Sequence, residues 1–352
     1  PPSWSGCYSR RYHKMKFVFG PVPSRRLGQS LGIDTIPLKT CNWNCVYCQL
    51  GRTQPLTNER RAYFPCDDIL AQVEEALAHH QPGEIDWLTF VGSGEPTLHS
   101  EIGLLISRVK ELTDLPVAVI TNGSLLYLPQ VRQALKTADA VLPSLDAGSA
   151  ELYRQINRPH PQTTFERLVN GLIAFRRAYT GKLWIEVMLI QDLNDSEEAL
   201  EDIAGLLKRI RPDEVHINLP TRPPAETWVQ PAGEEALLRA LVKFSDSARV
   251  VHPAEGAFDL GSNDSVLEAV LAIITRHPMH EEQLEEALAQ WAPDQVDTVL
   301  AELKASDRAQ VVERFGSRFW SANQSHYPDE ARSLAAAPGK TESRRPSNEK
   351  RI

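Results

Sequence analysis

The chain has 352 residues, 42% of them hydrophobic and 24% charged, with a formal net charge of -8 at neutral pH. These are the proportions of a soluble globular protein, and the lack of any eighteen-residue apolar run excludes a membrane span. The negative charge excludes nonspecific nucleic-acid binding over the whole surface, leaving room only for local basic patches. Length predicts one large unit plus something smaller.

Residues 1–14 (PPSWSGCYSRRYHK) lack the apolar core of a signal peptide and read as a disordered N-terminal extension; Met15 reads like a natural start. From Leu31 onward, short Val/Ile/Leu runs alternate with stretches of helical period, the sign of repeated βα units and a parallel sheet. Strands are predicted at 31–36, 86–92, 116–121, 139–145, 182–190 and 213–219. Helices are predicted near 67–80, 100–113, 126–136, 164–178 and 196–210, with Asp67, Ser100 and Ser196 as N-caps. The expected fold is α/β, a partial (βα)6 barrel over 15–260. Such barrels gather their chemistry at the C-terminal ends of the strands, and the unusual residues fall there.

Residues 261–322 change pattern: helices near 264–276, 280–289 and 293–305, then extended pieces at 308–313 and 317–320. This order, with turns at His277-Pro278 and Ala292-Pro293, predicts a small winged helix-turn-helix-like domain. Its third helix (DQVDTVLAELKAS) is acidic with one lysine, which favours packing or protein contact over reading a duplex. Residues 323–352 are polar and aperiodic and read as a disordered tail.

Five cysteines are an odd number, and three of them fall within TCNWNCVYCQLG as C-x3-C-x2-C: Cys41, Cys45 and Cys48. That layout suits a metal rather than a secreted disulfide framework, and the location it implies is cytoplasmic. Three thiolates on one short loop can each take one iron of a 4Fe-4S cube, leaving the fourth iron open. The other reading is zinc in a regulatory nucleic-acid-binding protein, but closed zinc sites want four ligands and commonly use C-x2-C pairs, which are not repeated here.

With Tyr47 as the aromatic residue before the last cysteine, this loop resembles the signature of the radical S-adenosylmethionine (SAM) superfamily. The resemblance implies an oxidoreductase- or transferase-type enzyme with a 4Fe-4S cluster and SAM as cofactors. Its open iron would chelate SAM, and one electron would split SAM into methionine and a 5'-deoxyadenosyl radical. An external donor such as flavodoxin or ferredoxin would supply the electron. Tyr47 would lie against the adenine, or simply pack. Strand DWLTFV runs into Gly92, Ser93, Gly94, Glu95 and Pro96, which resembles the family's Gly-Gly-Glu-Pro stretch with Ser93 in place of the first glycine. Carbonyls there, with Glu95, would accept bonds from the SAM ammonium. Asn122, Ser144 and Asp146 stand at later strand ends where the family meets ribose and carboxylate; Asn122 also suits a turn before Gly123. Ser144 and Asp146 alternate and are expected on one face. Asn194 resembles a family loop near the adenine, or caps the following helix. Glu186, charged within LWIEVMLI, faces the interior or an exposed edge.

FGPVPSRRLGQSLGID, INRPH and INLPTRPPAE resemble the wyosine-synthesis-like (Fe-S oxidoreductase) branch, which modifies transfer RNA. The second cysteine set of wyosine enzymes is missing, because only Cys7 and Cys66 are left over. Arg25, Arg26, Arg158 and Arg222 would gather at the barrel mouth to bind phosphate or carboxylate, or else be ion-paired at the surface. The substrate class expected is RNA or another phosphorylated molecule, with a peptide or protein partner as the alternative.

Overall fold

The computed structural model describes residues 16–244, 247–251, 258–260 and 265–328. The 1–14 extension, with Cys7, and most of the expected tail lie outside the described residues.

All six expected strands form, as β2 (Gly28–Ile33), β3 (Trp87–Phe90), β4 (Val117–Thr121), β5 (Ala140–Pro143), β6 (Lys182–Met188) and β7 (Glu214–Asn218). Two strands flank them. β1 (Val18–Ser24) makes an antiparallel hairpin with β2, and β8 (Ala248–Val250) pairs in parallel with β7. The order is linear, β1 through β8, and β2 to β8 run parallel.

The helices are α1 (Cys66–His79), α2 (Ile102–Leu112), α3 (Pro129–Leu135), α4 (Ala150–Ile156), α5 (Phe165–Ala178), α6 (Glu197–Ile210) and α7 (Glu234–Phe244). Ser196 caps α6 by accepting from the Ala199 amide, as its position predicts. At α1 and α2 the expected caps are displaced: Pro65 and Glu101 take the cap positions, and Asp67 enters the first turn of α1. There its charge meets the positive end of the helix. α3 begins three residues late, because Pro129 is pre-set for a first helical turn.

Strand alternation sorts the side chains. Leu31, Ile33, Leu88, Phe90, Val117, Val119, Ile185 and Val187 enter the large core under the helices. The residues between them face the other way. There Leu27, Ala118, Ala140, Leu142 and Trp184 close one end, and the polar residues of the same face are left at the strand ends.

The C-terminal unit consists of α8 (Val266–Arg276), β9 (Met279–His280), α9 (Glu281–Trp291), α10 (Val296–Ala305), β10 (Ala309–Arg314) and β11 (Ser317–Ala322). Its small sheet has the order β10-β11-β9. Its core, built on Val270, Ile274, Leu284, Leu288, Leu303 and Trp320, is continuous with Phe19 and Val22 of β1. The unit is thus packed on the hairpin edge of the main sheet. Residues 323–328, expected in the tail, fold back instead: the Arg52 amide donates to the His326 carbonyl at 2.8 Å, and the Tyr327 hydroxyl donates to the Gln49 carbonyl.

Candidate functional site

A cavity of about 350 Å³ opens at the C-terminal ends of the strands, within the roughly 300–1,000 Å³ of small-molecule sites. Cys41, Cys45 and Cys48 line it together, and so do Arg276 and His277 from the C-terminal unit.

The cysteine loop is held from below by the end of α4. Asn44 and Val46 donate their amides to the carbonyls of Asn157 and Ile156 at 3.0 and 2.9 Å, and His160 donates to the Asn42 carbonyl at 2.7 Å. Trp43 is buried edge-on against Tyr153, with ring centroids 5.3 Å apart. Each sulfur meets at least one N–H group. Cys41 Sγ is 3.4 Å from the Trp43 amide and 3.8 Å from Asn122 Nδ2; Cys45 Sγ is 3.7 Å from Asn157 Nδ2; Cys48 Sγ is 3.3 Å from Lys39 Nζ. Burial, reinforced by Glu95, pushes the Cys41 thiol up to about 12, and burial beside the other two sulfurs pushes Cys45 well above its ordinary value. Such sulfurs ionise only against a cation, and iron supplies one. Three sulfurs on one loop, each offered an N–H donor, fit a cluster with one open iron. A closed zinc centre needs a tighter set. Among the described residues no group of three or more His, Cys, Asp or Glu is arranged to hold a single ion.

The glycine-rich loop after β3 lies against the cysteine loop. Gly92 has φ +152°, and a Cβ there would stand 2.5 Å from the Asp34 carboxyl carbon. A Cβ on Gly94 would stand 2.0 Å from the Thr40 carbonyl, to which the Glu95 amide donates at 3.0 Å. Ser93 donates its hydroxyl to Asp34, which in turn pairs with Arg276 Nε at 2.7 Å. Glu95 is buried and accepts from the Thr97 amide and hydroxyl, from Thr121 Oγ1 at 2.6 Å and from the Asn122 amide at 2.7 Å. Burial raises its pKa even so.

Gly92, Ser93, Gly94, Glu95, Asn122, Ser144, Glu186 and Tyr47 all line the cavity. Asp146 and Asn194 stand behind its wall. Asp146 accepts from the Tyr47 hydroxyl, from Asn157 Nδ2 at 2.7 Å and from the Met188 amide at 2.9 Å. β5 ends at Pro143 and Ser144 keeps only an isolated bridge to Glu186, so the alternation that would carry Asp146 to the same face does not extend past it. Asn194 Nδ2 donates to the carbonyls of Asp146 and Met188 at 2.7 and 2.8 Å, holding the loop after β6.

The cavity also has a cationic part. Arg25, Arg26 and Arg222 line it, opposed by Glu186, which pairs with Arg26. Arg222 Nη1 donates to Gln49 Oε1 at 3.3 Å, and Nη2 donates to His277 Nε2. Burial, then Arg25 and Arg26, press the Arg222 pKa down to about 9. Arg158 is elsewhere. With Arg52 it holds the fully buried carboxylate of Glu226, Arg52 bonding at 2.8 and 2.7 Å, and so braces both ends of the cysteine loop rather than the mouth. INRPH therefore buttresses the loop. Cys66 is also remote, donating to Glu101 Oε2 at 3.3 Å. Lys39, Asp34, Asn157 and His277 are residues that the sequence reading missed.

A cysteine loop set at the mouth of a parallel sheet in an α/β protein is a layout that suits an open iron-sulfur cluster. The family profile of the Radical SAM superfamily matches residues 35–207, and the chain belongs to that superfamily, whose enzymes use a 4Fe-4S cluster and SAM. UPF0026 protein MJ1312 of Methanocaldococcus jannaschii is 38% identical over 279 residues, covering 78% of this chain and 86% of that one. A protein named GTPase Obg from Brachyspira hyodysenteriae is 44% identical over 237 residues; the match covers 67% of this chain but only 35% of that one. Among solved structures, Streptococcus suis SuiB bound to S-adenosylmethionine aligns with a TM-score of 0.47 at 15% identity, over 68% of this chain and 52% of that one. No helix among the described residues is long and apolar enough to cross a membrane.

Proposed function

We propose that this enzyme binds its cluster through Cys41, Cys45 and Cys48 and uses SAM to modify a phosphorylated substrate, RNA included, in the cytoplasm. The observation that carries this reading is one cavity lined both by the three cysteines and by the guanidiniums of Arg25, Arg26 and Arg222. Cys41, Cys45 and Cys48 would hold a 4Fe-4S cluster, which when bound and reduced by an external donor such as flavodoxin or ferredoxin would supply the electron for SAM cleavage.

The chain's own groups do the rest. Asn122, Asn157, Lys39 and the Trp43 amide hold the sulfurs by hydrogen bonds, which tune a cluster's potential. Backbone carbonyls of the 92–94 loop receive the SAM ammonium. Glu95 fixes that loop and Asn122 rather than reaching out alone, since its oxygens are already engaged. Tyr47 and Ser144 line the nucleoside side, with Asp146 and Asn194 as positioning residues behind them. Glu186 orients Arg26.

The main sheet supports reading 15–260 as a partial barrel, and the order α8-β9-α9-α10-β10-β11 supports a winged helix-turn-helix-like unit. The wyosine-like branch is the source of the transfer-RNA proposal, without its second cluster. A peptide substrate is the second reading, favoured if a polypeptide rather than RNA co-purifies.

Anaerobic reconstitution is expected to give a brown protein with about four irons per chain, and reduction with SAM to release 5'-deoxyadenosine. A colourless protein holding one zinc would end the proposal. Comparing RNA from a strain lacking the gene with its parent by mass spectrometry then tests the substrate class.

A further inference from the structure

We infer that the cationic part of the cavity is a receptor for a phosphate group, built by Arg25, Arg222 and His277, so that the C-terminal unit supplies part of the substrate site. This rests on the proposed function and deepens it.

Arg26 is committed to Glu186 and to Asn218 Oδ1 at 3.3 Å. Arg25 has no hydrogen bond or salt bridge to any described residue, although the charges of Arg26 and Glu186 act on it. Arg222 donates to His277 Nε2. A guanidinium can only donate, so this bond assigns the ring proton of neutral His277 to Nδ1. Nδ1 has no partner among the described residues, and the residue lines the cavity. Phe258 stands edge-on to the ring at 6.0 Å and fixes its plane.

The result is two guanidiniums and one neutral N–H donor, on three different segments, around one space. Burial and then the charges of Arg25 and Arg26 lower the Arg222 pKa, and burial followed by Arg222, Arg25 and Arg26 lowers that of His277, a repulsion that a bound anion relieves. A phosphate group offers several acceptor oxygens and as much as two charges, which matches three converging donors better than a carboxylate does. Sequence pattern marks His277 only as part of a turn with Pro278. The fold gives it a place because α8 ends against the cavity, its last residue Arg276 tied to Asp34.

The test uses the anaerobically reconstituted full chain, titrated with methyl phosphate and with dimethyl phosphate and followed by phosphorus NMR. At least one probe is expected to bind, and preference between them tells a terminal phosphate from a nucleic-acid backbone. Arg25→Ala and His277→Phe are each expected to weaken that binding about tenfold, the worth of one charge-assisted bond. His277→Gln, which can still accept from Arg222 and donate to the ligand, is expected to stay within about threefold of the parent. Cluster absorbance in each sample reports intact folding. The inference is overturned if neither probe binds, or if His277→Phe binds like the parent. It is also overturned if SAM affinity falls in parallel with probe affinity, since the receptor then belongs to the SAM carboxylate. A parent protein that binds phosphate but never cleaves SAM refutes the radical reading instead.

Discussion

Replacing Gly94 by alanine tests how the two loops of the site depend on each other. The added methyl carbon would stand 2.0 Å from the Thr40 carbonyl oxygen, where ordinary contact begins at 3.4 Å. Neither partner is a flexible side chain, so the shortfall of about 1.4 Å has to be met by backbone movement, at a cost of about 1–3 kcal/mol. The Glu95-to-Thr40 bond is lost with it, worth about 1 kcal/mol more. Thr40 adjoins Cys41, so the displacement passes straight to the first sulfur. A misplacement of about 1 Å at a reacting centre costs on the order of 100-fold in rate. Iron per chain after reconstitution and the initial rate of 5'-deoxyadenosine release measure both effects. Gly205→Ala is the control: a Cβ there meets nothing within 4 Å, and it lies within α6, where alanine is the better helix former. Full iron content and parental rate in Gly94→Ala would refute the reasoning.

Glu226→Gln leaves Arg52 and Arg158 without their buried carboxylate and is expected to destabilise the apo-protein by about 3–5 kcal/mol, read from its denaturation midpoint. Burial raises Asp146 from 3.8 to about 6, so the native state keeps this proton longer than the unfolded chain does. Stability should therefore be greatest below the unfolded value and decline by about 3 kcal/mol as pH rises from 3.8 to 6. Asp146→Asn removes that slope in pH-dependent melts. Lys39→Met deletes the ammonium beside Cys48, disfavouring the added electron, and should lower the cluster potential on the order of 60 mV in an EPR-monitored titration.

The strands β2 to β7 were readable because each is an apolar run ended by a turn. The β1 hairpin was not, since Gly20, Pro21 and Pro23 interrupt its pattern, and β8 is three residues long with Arg249 at its centre. α4, seven residues long, shows no helical period of its own, whereas the equally short α3 opens on Pro129, a helix-start residue. The cysteine and glycine loops hold their motif residues adjacent in the chain, so the motifs marked two stretches that the fold brings to one cavity. Arg158 was misplaced because residue type says that a guanidinium seeks an anion, not which one. Its partner lies 68 positions away. The Asp34–Arg276 pair, 242 positions apart, had no local sign at all.

The return of His326 and Tyr327 onto the cysteine loop changes what a shortened protein can reveal. Cutting the chain before Val266 would not isolate a minimal catalyst with a dispensable appendage removed. It would uncover Gln49, Gly51 and Arg52, unseat Asp34 and remove two residues of the chamber wall. Inactivity of such a truncate would report an uncovered cysteine loop and a lost piece of the chamber wall together, and would not by itself show a separate recruiting role for the unit.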